Sequence, residues 1–368
     1  MTIAAHIRET SQQESFLYAC LLLLAEKYST DQFIFFADKQ SPSQINLPFN
    51  CKIFTVSPAI KNSLLLHYWY NFKLPGILKK MNAAVFLSES SVCSLRRSVP
   101  QCMVLQDISF LQKKKLLQHE HARYLKKFFD QFIRKTFWVI TTENYIAQAL
   151  VFKYPSLQSK ISSVGHGLIE TYQPLPWNIK EAEKNQHTQG NEFFFCECSA
   201  LTQPNILFVL KAFSLFKKRL KSNMQLMLLL KNIPEANCVN DFKNYKYRQE
   251  VKFITHQSHK KTALHLAAAY ACIYLPAIST TENTGLHAMQ CGVPLITCND
   301  QAAKSIYKDA ALFTSMDEKM IAENMMMLYK DEALRNETIE KGKSIAGTYN
   351  WPAAAALLWQ SILSSSKD

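Results

Sequence analysis

Two series of short apolar runs, each alternating with stretches of helical periodicity, run through this 368-residue chain. In the first, the runs Thr2–His6, Phe33–Ala37, Lys52–Val56, Ala84–Ser88, Cys102–Leu105, Trp138–Thr141 and Lys160–Val164 read as strands. Helical patterns cover Glu14–Lys27, Tyr70–Met81, about 117–137 and a segment ending near Lys153. The second series places strands at Phe193–Glu197, Gln225–Leu230, Val251–Ile254, Cys272–Leu275 and Pro294–Thr297. Its helices are Pro204–Leu220, Lys260–Tyr270 and one opening at Thr284. Strands covered by helices on both faces need continuous apolar runs, and strict alternation builds parallel, doubly wound sheets. Between the series, Glu170–Asn191 holds Pro174, Pro176, charges and amides without a period, so 171–191 reads as a linker. The expectation is an α/β fold with two Rossmann-like domains facing a cleft. Residues 1–170 form one and 192–350 the other, and 351–368 reads as a last helix.

Composition narrows the function classes. The chain exceeds the size at which one core usually stops growing. It is 48% hydrophobic with ordinary charge content, hence globular. Its ten cysteines have no regular spacing and read as reduced, buried thiols. The longest apolar run, Phe16–Ala25, is too short for a membrane span, which points to a cytoplasmic protein. The net charge of +13 is concentrated in the first 170 residues. Its densest patch is Lys113, Lys114, Lys115, Arg123, Lys126 and Lys127, interleaved with aromatic residues at helical spacing. Such a helix suits either an anionic membrane face or a solvated cover over a packed stripe. No nucleic-acid motif accompanies the charge. His256, His259 and His265 read as a polar loop leading into a helix, and no metal is expected.

One stretch carries the most functional information. Tyr274–Asn299 reads as a strand, a polar turn, a helix opening near Thr284-Gly285, a Gly-Val-Pro turn and a second strand. A helix N-terminus at the mouth of a parallel sheet suits an anion. This layout resembles the donor-sugar loop of the retaining GT-B glycosyltransferases (group 1, or family 4, type). Other segments resemble the same family in order. Val104–Phe110 is similar to its His-Asp segment, Lys160–Gly167 to the strand and turn ending its first domain, and Pro204–Phe213 to the helix opening its donor domain. Asp309–Leu312 and Lys330–Arg335 resemble its C-terminal helices, and Trp351–Ile362 its last helix, which implies that 351–368 returns to the first domain.

The resemblance implies transfer of a sugar from a nucleotide-sugar donor to a glycan or lipid-linked acceptor, without a cofactor. It places Gln106 and Asp107 at the reacting centre. Ser199, Asn205, Ser279, Glu282, Asn283, Thr284, Gly285 and His287 fall at the donor, and His166 and Gly167 at the interdomain turn. The basic patch would face the acceptor or the inner membrane surface. Ligand-facing positions nevertheless depart from the family's pattern. Its Arg and Lys fall at Ser199 and Pro204, its two glutamates at Ser279 and His287, and its histidine at Gln106. Residues 9–15 replace its glycine loop, and only 8 glycines occur in the chain. Diphosphate departure needs its charge neutralised, so a catalytically silent partner or glycan-binding role stands as the alternative.

Overall fold

The computed structural model describes residues 1–7, 15–38, 47–96, 98–112, 120–199, 205–231, 245–256, 258–276 and 284–365. Two compact units emerge: Met1–Gly167 with Tyr349–Asp368, and Leu168–Thr348.

Unit 1 holds strands β1 (Thr2–Ile7), β2 (Gln32–Ala37), β3 (Cys51–Thr55), β4 (Val85–Ser88), β5 (Gln101–Leu105), β6 (Trp138–Thr141) and β7 (Ile161–Ser163). Its helices are α1 (Phe16–Lys27), α2 (Ser63–Tyr68), α3 (Leu74–Lys80), α4 (Ser109–Gln112), α5 (Glu120–Lys135) and α6 (Asn144–Lys153). A π-helical turn, Trp69–Lys73, joins α2 to α3. The parallel sheet runs β3-β2-β1-β4-β5-β6-β7, with Ala4 of β1 opposite Ile34 of β2 and Phe86 of β4. Strand order reverses between β1 and β4, which opens a crevice at their carboxyl ends.

Unit 2 carries α7 (Trp177–Thr188), β8 (Phe193–Cys198), α8 (Ile206–Leu220), β9 (Gln225–Leu230), β10 (Val251–Thr255), α9 (His259–Ala268) and β11 (Ala271–Tyr274). It continues with α10 (Thr284–Gln290), β12 (Leu295–Cys298), α11 (Gln301–Tyr307), β13 (Ala311–Thr314), α12 (Glu318–Lys330) and α13 (Glu332–Gly347). Its parallel sheet runs β10-β9-β8-β11-β12-β13, reversing between β8 and β11.

Burial follows the apolar runs. Phe193, Phe194 and Phe195 are fully buried because adjacent residues of β8 point to opposite faces and both faces are covered. On one face of the first sheet, Leu17 and Leu21 of α1 share a core with Leu358 and Ile362 of the last helix, α14 (Trp351–Ser365). Tyr28 stacks on Trp359 with ring centroids 4.2 Å apart. The other face is filled by Trp69, Tyr70, Leu74, Phe129 and Phe132.

Two expectations are corrected. Most of 171–191 is the helix α7, which starts after Pro176 and ends on Gln189 in the left-handed conformation. Charges and amides hide its period because only one face packs. Asp309–Leu312, matched from sequence to a helical segment, instead leads into the edge strand β13 (Ala311–Thr314). Four residues are too few for periodicity to separate strand from helix.

Candidate functional site

At the crevice of unit 1 stands Glu89, the residue after β4, only 7% exposed. Its Oε2 accepts from the Ser15 hydroxyl at 2.6 Å, and its Oε1 from the Leu17 backbone N–H at 3.2 Å. Ser15 is the N-cap of α1 and also accepts from the Tyr18 N–H. The side chain thus sits on the helix opening as a bound anion would. Gln106 Nε2 donates to the same Oε1 at 2.8 Å. Burying a carboxylate costs several kcal/mol. Charge-assisted hydrogen bonds of about 1.5–3 kcal/mol each offset that only because three converge.

Of the residues expected at the reacting centre, Gln106 is therefore committed to Glu89. Asp107 accepts from the Ser109 N–H at 2.8 Å and from the Ser109 hydroxyl, which caps the turn into α4. His6, fully buried on β1, contacts Asp38 at 2.9 Å through Nε2 and Tyr70 Oη at 2.7 Å through Nδ1. At the end of the unit's body, His166 Nδ1 lies 3.4 Å from Glu143 Oε1, and the Tyr349 hydroxyl donates to Glu143 Oε2 at 3.4 Å. Burial pushes the Glu143 carboxyl up to about 7, with the Tyr349 hydrogen bond opposing. Gly167 is required beside this group, since a Cβ there would run into the Trp351 ring.

Unit 2 repeats the arrangement. Glu197, next to last in β8 and 4% exposed, accepts from the Thr284 hydroxyl at 3.0 Å. Thr284 opens α10, directly across the β8–β11 crevice. Lys231 Nζ lies 4.0 Å from Glu197 Oε1. The cation absent at Ser199 is thus present nearby, but it faces a carboxylate.

Ser199 is buried at the end of β8. Asn205 precedes α8 and donates its Nδ2 to Leu275 O at 2.7 Å, which ties that helix to the end of β11. Gly285 packs against the Tyr307 ring, where a Cβ would collide. His287 lies flat on Tyr172, with ring centroids 3.9 Å apart and an interplanar angle of 3°. Tyr172 Oη contacts His259 Nδ1 at 3.2 Å. Burial, His256 and Lys231 together lower the basicity of His259. Ser279, Glu282 and Asn283 lie outside the described residues, as does Pro204.

Sequence reasoning brings Ser199, Thr284, Gly285 and His287 to one sheet edge, but it misses Glu89, Glu197 and Tyr172. A signal existed for the first two. Phe-Phe-Phe-Cys-Glu-Cys and Val-Phe-Leu-Ser-Glu each set a charge in or directly after a buried run.

On α5, Tyr124, Leu125, Phe129, Phe132 and Ile133 are buried, so its apolar stripe is spent on the core. Arg123, Lys126 and Lys127 are exposed, whereas Lys113, Lys114 and Lys115 lie outside the described residues. Leu64 and Phe72, on the neighbouring α2 and π-helical turn, are 79% and 53% exposed. His67 of α2 meets the Tyr124 hydroxyl at 3.1 Å. Among the described residues no helix is long and apolar enough to cross a membrane.

Solved structures share this architecture. A glycosyltransferase from Rickettsia africae superposes with a TM-score of 0.72 at 12% identity, covering 100% of this chain and 99% of that one. Anabaena Alr3699/HepE in complex with UDP gives 0.74 at 14%, over 99% and 100%. WaaG, a glycosyltransferase involved in lipopolysaccharide biosynthesis, gives 0.71 at 12%, over 98% and 99%. No curated protein matches the chain by sequence. Residues 178–345 match the family model described as glycosyl transferases group 1. Residues 178–345, all within unit 2, are thus similar to the glycosyl transferases group 1 family, and the chain as a whole has a GT-B frame of two parallel-sheet units.

Proposed function

We propose that the chain acts in cell-surface glycan assembly, moving a sugar from a nucleotide-sugar donor to a glycan or lipid-linked acceptor. The observation that carries this reading is the opening of α10 at the β8–β11 crevice, within the family-matched segment. Anabaena Alr3699/HepE, of like fold, binds UDP and UDP-glucose. In this reading the donor's diphosphate displaces Glu197 from Thr284 and takes Lys231 as its counter-charge, with no metal. Unit 1 takes the acceptor, and the Leu64–Phe72 surface beside Arg123, Lys126 and Lys127 meets an anionic membrane face.

A second reading is favoured by Glu89 and Glu197 together. Each occupies a helix opening at a crevice where a substrate anion would sit. Two unit charges about 4 Å apart repel by about 4 kcal/mol at an effective dielectric constant near 20. Under this reading the chain is a catalytically silent partner that binds glycan in place of a charged donor. Calorimetric titration with uridine, guanosine and adenosine diphosphate sugars separates the two. Binding accompanied by slow donor hydrolysis supports transfer, and heat from none of them in a folded sample contradicts it.

A further inference from the structure

Glu183 and His187 stand one turn apart on α7, and the ring of His265 from α9 reaches the same point. His187 Nε2 lies 3.3 Å from Glu183 Oε1, and His265 Nδ1 contacts that same oxygen. The three donor atoms all fall within 4.8 Å of one another. The imidazole rings are 4.9 Å apart and nearly perpendicular, at 87°. This group lies about 9 Å along α9 from His259 and the Tyr172 contact, by helical rise. We propose that Glu183, His187 and His265 form a binding site for a zinc-class divalent cation that ties α7 to α9.

The donor chemistry selects the class of ion. Two imidazoles and one carboxylate suit borderline transition ions, whereas magnesium and calcium take oxygen ligands. Spacing of i and i+4 sets Glu183 and His187 on one face of α7. Bonds of about 2.0–2.2 Å to a tetrahedral ion hold ligand atoms about 3.3 Å apart. The Glu183–His187 pair already has that separation, and all three donor atoms lie within 4.8 Å of one another.

Lys184, the residue after Glu183, is drawn away to Glu192 at 2.5 Å. At 24% exposed, the His187 side chain leaves one side open for entry and for a water ligand. The site departs from the sequence expectation of no metal, and its role is to clamp two helices rather than to transfer sugar.

The test uses the full chain, stripped with chelator and titrated with Zn²⁺ alone. We expect one tightly held equivalent after desalting and a rise in melting temperature that EDTA reverses. Mg²⁺ should produce no such rise. His187→Gln and His265→Gln should each weaken zinc affinity at least tenfold. Should one variant fail to fold, as judged by circular dichroism, the other carries the comparison. Wild-type protein that retains no zinc overturns the proposal. So do variants that bind zinc as the wild type does, because the ion would then be held elsewhere, for example on cysteines.

Discussion

The Thr284 hydroxyl donates to the Glu197 carboxylate at 3.0 Å, so a negative side chain of the protein lies at the opening of α10. The same arrangement recurs where Ser15 and the Leu17 N–H hold Glu89 at the opening of α1. Both pairs span the strand-order reversal of a parallel sheet, β1/β4 in one unit and β8/β11 in the other. In such sheets that reversal is where ligands bind.

Removing Glu89 exposes the consequence in unit 1. Glu89→Ala leaves the Ser15 hydroxyl, the Leu17 N–H and the Gln106 amide without this acceptor. We expect a loss of about 3 kcal/mol in urea unfolding, within the range for breaking buried charged contacts. Inorganic phosphate should restore part of that stability in the variant and add little to the wild type. Equal phosphate effects on both proteins would show that the helix opening is not an anion seat.

The Tyr172–His287 stack is a packing prediction. Tyr172 is 3% exposed, so Tyr172→Ala should cost about 3–5 kcal/mol, as for other large aromatic truncations. Tyr172→Phe removes only the hydroxyl contact with His259 and should cost about 1 kcal/mol. Thermal or urea denaturation distinguishes these values. A similar cost for both variants would mean that the hydroxyl, and not the stacked ring, holds the site together.

Glu143 gives a pH prediction with a definite sign. Burial raises its pKa from 4.5 to about 7 in the folded chain, so the folded state binds the proton more tightly than the unfolded state. Its stabilising contribution is complete below pH 4.5 and is lost as pH rises through 7. The span corresponds to about 3 kcal/mol. Glu143→Gln should flatten the fall in stability between pH 5 and 7 (about 1.4 kcal/mol per unit). An unchanged slope in that variant would assign the proton to another group.

Surface charge and exposed apolar residues make a membrane prediction. Wild-type protein should bind vesicles containing anionic phospholipid and leave zwitterionic vesicles alone. Each basic residue near such a surface contributes about 1 kcal/mol, so reversing both Lys126 and Lys127 should weaken binding well over tenfold. Leu64→Ser with Phe72→Ser should weaken it further. Vesicle co-sedimentation that these changes do not alter would remove the membrane role of this face.

Much of the fold was legible because its strands are uninterrupted apolar runs, as in Gln225–Leu230, where sequence and structure give the same bounds. What escaped notice has a physical cause in each case. β13 is too short to show a period, and α7 packs too little of its surface to display one. Glu89 and Glu197 were missed because their roles depend on α1 and α10, elements joined to them only in three dimensions. Asp107 kept the residue type expected of the family, yet its carboxylate is spent locally on Ser109.

The most direct measurement is the affinity of uridine diphosphate, by calorimetry, for the wild type and for Glu197→Gln. The substitution keeps the side chain's size and removes the charge from the opening of α10. If Glu197 stands where a diphosphate would sit, the variant should bind at least tenfold more tightly than the wild type, or gain binding where the wild type has none. Equal or weaker binding by the variant would contradict the account and make the carboxylate part of the ligand's own contacts.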